Sequence, residues 1–239
     1  MSELIGPIRP STVLPANRRP IRLHTSDGLI LIGEVASPVG PRTGTLICLH
    51  PLPTHGGMMD SHVYKKAANR LPEMAGIEIL RFNTRGTESE AGKSEGEFDN
   101  GTSEKFDVEA AIAFAVNDLG AENLWVAGWS FGTDLALRHA RDPHVKGLIL
   151  LAPPLRTSQV SDLEYWAEDG RPVIALVPEH DDYLKPDAAR VAFAPLKQLQ
   201  LIPVDGAKHL WVGEPAVYRV LTEITQIIAP ERLPLPTEL

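Results

Sequence analysis

Short runs of apolar residues recur along this chain, each long enough for one strand and too short for a buried helix. Thr45–Leu49, Ile77–Phe82, Leu124–Ala127, Val145–Leu151, Pro172–Val177 and Leu199–Val204 are such runs. A near-continuous apolar run of four to seven residues reads as a strand covered on both faces. Between these runs lie segments that suit helices, near 60–71, 103–118, 131–141, 186–196 and 214–229. In the second of these, Phe106, Ala110, Ala113 and Phe114 fall at helical spacing. Strands alternating with helices predict an α/β fold, a mostly parallel twisted sheet with helices on both faces. Ahead of it, Ile21–Thr25 and Leu29–Val35 flank Ser26-Asp27-Gly28, which predicts an N-terminal antiparallel hairpin.

The expected organisation is an extended, proline-bearing arm over residues 1–19, one domain over 20–229, and a tail over 230–239 in which prolines break regular structure. Residues 85–101, rich in Gly, Glu and Ser, read as a long loop, and 154–170 as a short polar-aromatic connection. Neither is large enough to be a lid. At 239 residues with 43% hydrophobic and 23% charged residues the chain can bury one sizeable core. A net charge of −8 argues against a nucleic-acid partner, because phosphate neutralisation needs a basic surface. No apolar run approaches the ~20 residues that span a bilayer. The first residues lack the basic start and apolar stretch of a signal peptide, and the single cysteine, Cys48, permits no intrachain disulfide. Cytoplasmic residence is therefore expected. Cys48 lies inside an apolar strand, as an inert core thiol does.

The chemistry concentrates at strand ends, where a parallel sheet gathers its reactive groups. The run at 124–127 ends in Gly128-Trp129-Ser130-Phe131-Gly132, directly before a helix. A serine at so sharp a strand-to-helix turn takes strained backbone angles and needs small neighbours. The bare pattern arises by chance in roughly one chain in fifteen of this length, so partners must be found elsewhere. After Val177 come Asp181 and Asp182; after Val204 comes His209. Nucleophile, acid and base thus follow in the order Ser130, Asp181 or Asp182, His209. The two aspartates are adjacent and cannot both face one imidazole. Among the other histidines, His24 lies in the hairpin, His139 in a helix and His144 at a strand start.

An oxyanion hole needs two backbone N–H groups. Phe131 follows the nucleophile. The loop after Leu49, His50-Pro-Leu-Pro-Thr-His-Gly-Gly57, supplies the other; Pro51 has no N–H, which leaves Leu52. His50 is expected to brace this loop. Trp129 and Trp211 flank the reactive residues and are candidates for walls of a substrate pocket. Two other patterns carry less. Gly86-Thr-Glu-Ser-Glu-Ala-Gly-Lys-Ser94 resembles a phosphate loop but has five residues between its glycines and four glutamates around it. His50, His55, His62 and Asp60 match no zinc spacing, so no metal is expected.

The motifs His50-Pro-x-Pro-x-x-Gly-Gly57, Arg81-Phe-Asn-x-Arg-Gly86, Ser94-Glu-Gly-Glu-Phe-Asp-Asn-Gly101 and Gly-x-Ser-x-Gly together resemble a group of small α/β-hydrolases related to the dienelactone hydrolases, over about residues 21–228. The resemblance implies the α/β-hydrolase fold and a Ser-His-Asp triad. It matches Gly206-Ala-Lys-His209 to the base motif and, by its spacing from Pro178, selects Asp181 as the acid. Thr87, the long segment Glu88–Lys93 and Pro178 depart from its usual pattern. The expected activity is hydrolysis of a small or medium carboxylic ester or thioester through an acyl-serine. No cofactor is expected, and the partner is a small-molecule acyl substrate. An amidase or peptidase, or a non-catalytic binding or scaffold protein on the same fold, are the alternatives. Substrate identity and oligomeric state are not legible in these residues.

Overall fold

Every residue of Gly44–Leu49, Ile77–Phe82 and Leu124–Trp129 is buried, a pattern met by strands covered on both faces. The computed structural model describes residues 7–238. In chain order the strands are β1 (Asn17–His24), β2 (Ile30–Ser37), β3 (Gly44–Leu49), β4 (Ile77–Phe82), the two-residue pair β5 (Glu88–Ser89) and β6 (Gly92–Lys93), β7 (Leu124–Trp129), β8 (Val145–Leu151), β9 (Val173–His180) and β10 (Gln200–Lys208). The helices are α1 (His62–Ala75), α2 (Glu104–Asn117), α3 (Phe131–His139), α4 (Val160–Asp169), α5 (Pro186–Ala192) and α6 (Glu214–Ile228).

Eight strands form one sheet in the order β1-β2-β4-β3-β7-β8-β9-β10. Strand β2 runs antiparallel to β1 and β4, and all other neighbours are parallel. Successive side chains of a strand point to opposite faces, and the core divides accordingly. Ile47, Leu49, Val126 and Leu148 pack with Val108 of α2, Leu135 of α3 and Leu163 of α4. Leu46, Cys48, Ala127 and Ile149 pack with Tyr64 of α1 and Val217 of α6. Each Val, Leu or Ile among them contributes about 1.5–3 kcal/mol by leaving water. Among the described residues no helix is long and apolar enough to cross a membrane.

Four expectations need correction. The segment 154–170 is not a plain connection: it contains α4, whose Val160, Leu163 and Ala167 recur at helical spacing. Asp162 accepts from Gln159 N–H at its start (2.7 Å), and Gly170 ends it at φ 78°. The loop 85–101 carries the β5–β6 pair and is tied to β2, since Ile30 N–H donates to Glu95 and Ile32 N–H to Ser94 Oγ. The arm ends earlier than residue 19, because β1 begins at Asn17; its residues 1–6 lie outside the described residues. The tail is partly structured. Pro230–Arg232 form a 3-10 turn, Leu235 is buried, its carbonyl accepts from Tyr218 Oη (2.6 Å), and Glu238 bridges to Pro7.

One of the two fully buried tryptophans is on α4. Trp166 of α4 sits in the core with its indole N–H on Leu137 C=O (2.8 Å). Trp166→Ala should therefore lower unfolding free energy by about 3–5 kcal/mol in a urea titration, with Trp166→Phe losing less. An unchanged midpoint would show that α4 is not part of the cooperative core.

Candidate active site

Strand β7 ends at Trp129 and α3 begins at Phe131, so Ser130 alone makes the turn, at φ 52° and ψ −120°. For a residue with a side chain this is strained backbone, and the surroundings hold it. Ser130 N–H donates to Leu151 C=O (2.9 Å), while Thr133 N–H and Oγ1 donate to Ser130 C=O (2.8 and 2.7 Å). The glycines on either side are required by space. A Cβ at Gly128 would fall 2.2 Å from Gly132 C=O, and one at Gly132 would fall 2.0 Å from Leu49 C=O.

His209 arrives from the other end of the sheet. The β9–β10 register breaks between Val204 and Lys208, and such a bulge redirects the strand that follows. His209 Nδ1–H donates to Asp181 Oδ2 at 2.9 Å, and Ser130 Oγ–H donates to His209 Nε2 at 2.9 Å. The acceptor carboxylate requires the proton on Nδ1, which leaves the Nε2 lone pair facing the hydroxyl. Asp181 Oδ1 accepts from Tyr183 and Leu184 N–H (2.8 and 3.1 Å), so both of its oxygens are engaged. The structure brings Asp181 to His209. Asp182 is exposed at the cleft lining, and the bond to His209 is made by Asp181. The side chains of His209 and Asp181 are 7% and 1% exposed, whereas Ser130 is half-buried.

A cleft of about 340 Å³ opens over Ser130, lined by Leu52, Phe131, Pro154, Tyr183, His209 and Leu210 among others. Phe131 opens α3, where the first N–H groups of a helix have no partner within it. Leu52 N–H donates to nothing among the described residues. Both expected oxyanion donors thus belong to residues that line the cleft with N–H groups to spare. His50 fixes one of them. Its Nδ1–H donates to Pro51 C=O (2.7 Å), and its Nε2 accepts from Thr84 N–H (3.1 Å). Pro51 C=O and Leu52 N–H belong to one planar peptide, so holding the carbonyl aims the N–H. Gly57 closes on the same carbonyl, where a Cβ would come within 2.0 Å. Burial pushes the His50 imidazole down to about 4, and it is neutral at neutral pH.

The expected pocket walls, Trp129 and Trp211, are a correction. Both are buried in the core between the sheet and helices α1 and α6, because the side chain at 129 alternates to that face of β7. Neither lines the cleft. Trp129 instead donates its indole N–H to His209 C=O (3.1 Å). Sequence reasoning missed Tyr183, whose ring lies 4.6 Å from that of His209, and Thr84, which sits in the Arg81–Gly86 motif. It also missed His62, whose Nε2 bonds Trp211 C=O (3.2 Å). The grouped His50, His55, His62 and Asp60 are apart in function: Asp60 pairs with Arg81 and His55 lines the cleft. Among the described residues no cluster of three His, Cys, Asp or Glu side chains is arranged to hold a metal. Cys48 is fully buried, and burial pushes its thiol pKa up.

A family model described as alpha/beta hydrolase fold matches residues 44–205. An uncharacterised protein of Rickettsia prowazekii is 30% identical over 157 residues, covering 65% of this chain; the match spans 64% of that protein's length. Among solved structures, a serine hydrolase without a lid from Xanthomonas campestris is 27% identical with a TM-score of 0.73, over 95% of this chain and 100% of that one. A serine hydrolase homologue from Coxiella burnetii is 25% identical with a TM-score of 0.74, over 91% and 100%. An esterase from Pyrococcus furiosus, 17% identical with a TM-score of 0.71 over 89% and 93%, shares the fold.

The neutral His50 gives stability a pH dependence. In the unfolded chain this residue takes up a proton below about pH 6.5, whereas in the fold it does so only near 4. The unfolded state binds more protons in that window, so stability falls as pH drops through it. From pH 7 to 4.5, His50 should account for a loss of about 2–3 kcal/mol. Urea titrations at the two pH values should show a wild-type difference larger than that of His50→Asn by this amount. Equal differences would place the titration elsewhere.

Proposed function

The chain belongs to the alpha/beta hydrolase fold family, and from that premise we propose that it is a serine hydrolase cleaving small or medium carboxylic esters or thioesters through an acyl-serine. One observation carries the reading: Ser130 Oγ, on a strained turn, lies 2.9 Å from His209 Nε2, whose other nitrogen is 2.9 Å from Asp181. A serine hydroxyl is a weak nucleophile until a base takes its proton during attack.

In this mechanism Ser130 Oγ bonds to the substrate carbonyl carbon as its proton passes to His209 Nε2. The carbonyl π pair moves to oxygen, and the N–H groups of Leu52 and Phe131 hold that oxyanion. When the oxyanion collapses, the bond to the alcohol or thiol breaks and His209 returns the proton to the leaving group. Water then repeats the sequence on the acyl-serine, releasing the acid and restoring Ser130. Asp181 stays ionised throughout, fixing the imidazole tautomer and stabilising the imidazolium. An oxyanion donor of this kind is worth roughly 10²–10³ in rate, which gives the braced Leu52 loop a reason to exist.

Ser130→Ala should lower kcat for p-nitrophenyl butyrate by roughly 10⁶, and Asp181→Asn by roughly 10⁴. Asp182→Asn should stay within about twofold, since its side chain does not meet His209. A fluorophosphonate should label Ser130 stoichiometrically; an unlabelled, folded protein would favour the non-catalytic alternative. The cleft volume of about 340 Å³ lies at the small end of ligand sites. Across p-nitrophenyl esters, kcat/KM should therefore peak at short to medium acyl chains and fall for palmitate. A maximum at palmitate would refute the size assignment.

A further inference from the structure

We propose that Trp129 and His62 form a clamp that sets where the His209 imidazole lies relative to Ser130, so that both are positioning residues. This rests on the Ser130–His209 mechanism above. It adds two residues that touch neither the cleft nor the reacting atoms.

The base sits on a segment with little regular structure to hold it. Strand β10 ends at Lys208, and residues 208–211 form a turn closed by Trp211 N–H on Lys208 C=O (2.9 Å). Trp211 takes φ 52°, in the left-handed region, and buries an indole N–H that has no partner among the described residues. Strain and an unmade hydrogen bond both work against this turn, so other contacts must keep it in place. Two carbonyls of the turn are held by side chains. Trp129 indole N–H donates to His209 C=O (3.1 Å), and His62 Nε2 donates to Trp211 C=O (3.2 Å). A carbonyl can only accept, so the His62 proton is on Nε2.

The origin of the two donors matters more than their number. Trp129 is the residue directly before Ser130, so one residue fixes the nucleophile through its backbone and the base through its side chain. His62 opens α1, the helix that follows the oxyanion loop. The two donors also brace each other: the His62 ring meets Trp129 edge-on at 5.3 Å and 88°. Tyr64 meets the same indole from another side at 6.2 Å, with its hydroxyl fixed on Ala127 C=O (3.1 Å). These contacts pack the indole whose N–H reaches His209 C=O. The clamp thus joins the turn that carries the nucleophile, the turn that carries the base and the start of α1.

Misplacement of a reacting group by about 1 Å can cost roughly 10²-fold in rate, and removing one of two holds should cost less. Trp129→Phe keeps a ring in the core but removes the N–H. It should lower kcat for p-nitrophenyl butyrate by about 10-fold with KM within about twofold, since the cleft is untouched. Fluorophosphonate should still label every molecule, more slowly. His62→Leu should act in the same direction, and His62→Gln, which keeps a donor, should recover most of the loss. The downfield proton resonance of the His209–Asp181 hydrogen bond should shift or broaden in Trp129→Phe. Wild-type kcat and an unmoved resonance in Trp129→Phe and His62→Leu would overturn the clamp. So would a loss of kcat that matches a loss of labelled fraction, because that marks misfolding. Ser130→Ala, assayed alongside, separates the two claims. If it retains activity, the mechanism fails; if it is inactive while Trp129→Phe is unimpaired, only the clamp does.

Discussion

The structure depends on one close approach of backbone to backbone. Gly132, in the first turn of α3, lies so near the end of β3 that a single methyl group would fall 2.0 Å from Leu49 C=O. This contact seats the start of α3 against the point where β3 gives way to the His50–Gly57 loop. The free N–H at the helix start and the free N–H at Leu52 are thereby held on either side of one space. Gly57 repeats the device from within the loop, meeting Pro51 C=O. In the proposed mechanism the oxyanion site is thus built around two places where no side chain fits, and its donors are backbone groups that these contacts hold. Preorganised dipoles of this kind need no rearrangement as charge develops.

Around that contact, buried polar groups act as struts. Thr84 engages His50, and Arg85 next to it forms paired bonds to Asp107 of α2 (2.8 and 3.0 Å) while reaching Asp27 in the β1–β2 turn (3.0 Å). Asn83 accepts from Met59 N–H (2.9 Å) and donates to Ser89 Oγ (2.9 Å). Glu104 takes the N–H groups of Asp99 and Gly101, both at 2.8 Å. Ion pairs taken out of water give little net stability, and losing one partner costs much more than the pair contributed. Their use here is register: each ties a loop near the cleft to one geometry. The motifs Arg81–Gly86 and Ser94–Gly101 thus hold neighbouring loops through buried bonds, Thr84 to His50 and Ser94 to Asn83 among them.

Much of this was legible from the residues because the relevant physics is local. The full burial of β3, β4 and β7 follows from their largely apolar runs, and the glycine requirement at 128 from Gly132 four residues on. The places of Ser130, Asp181 and His209 at strand ends follow from the direction of a parallel sheet. What was illegible depends on long-range packing. Helix α4 was read as a connection because its apolar positions are few; Trp166 is buried by α3, a partner 29 residues away at Leu137. Leu235 looked like part of a broken tail until Tyr218 of α6 was beside it. The two tryptophans were placed in the cleft because adjacency in sequence to Ser130 and His209 was taken as adjacency in space. Alternation along β7 sends Trp129 to the opposite face.

A cleft with no lid must still keep water from the pair of groups that moves protons. Here the exclusion is divided between residues. Asp181 is closed off by its own loop, whose N–H groups at 183 and 184 take the oxygen that His209 does not. The imidazole is covered on one side by Tyr183, a residue 62% exposed that serves as a cover more than as core. Its own carbonyl is taken by Trp129 from below. Ser130 alone stays half-buried, open to the cleft. In the proposed mechanism a dry base and acid beside a reachable nucleophile concentrate the low dielectric where charge would separate, and there each hydrogen bond is stronger than in water. A substrate of the proposed class would therefore meet charged groups already arranged, with only itself to shed water on entry.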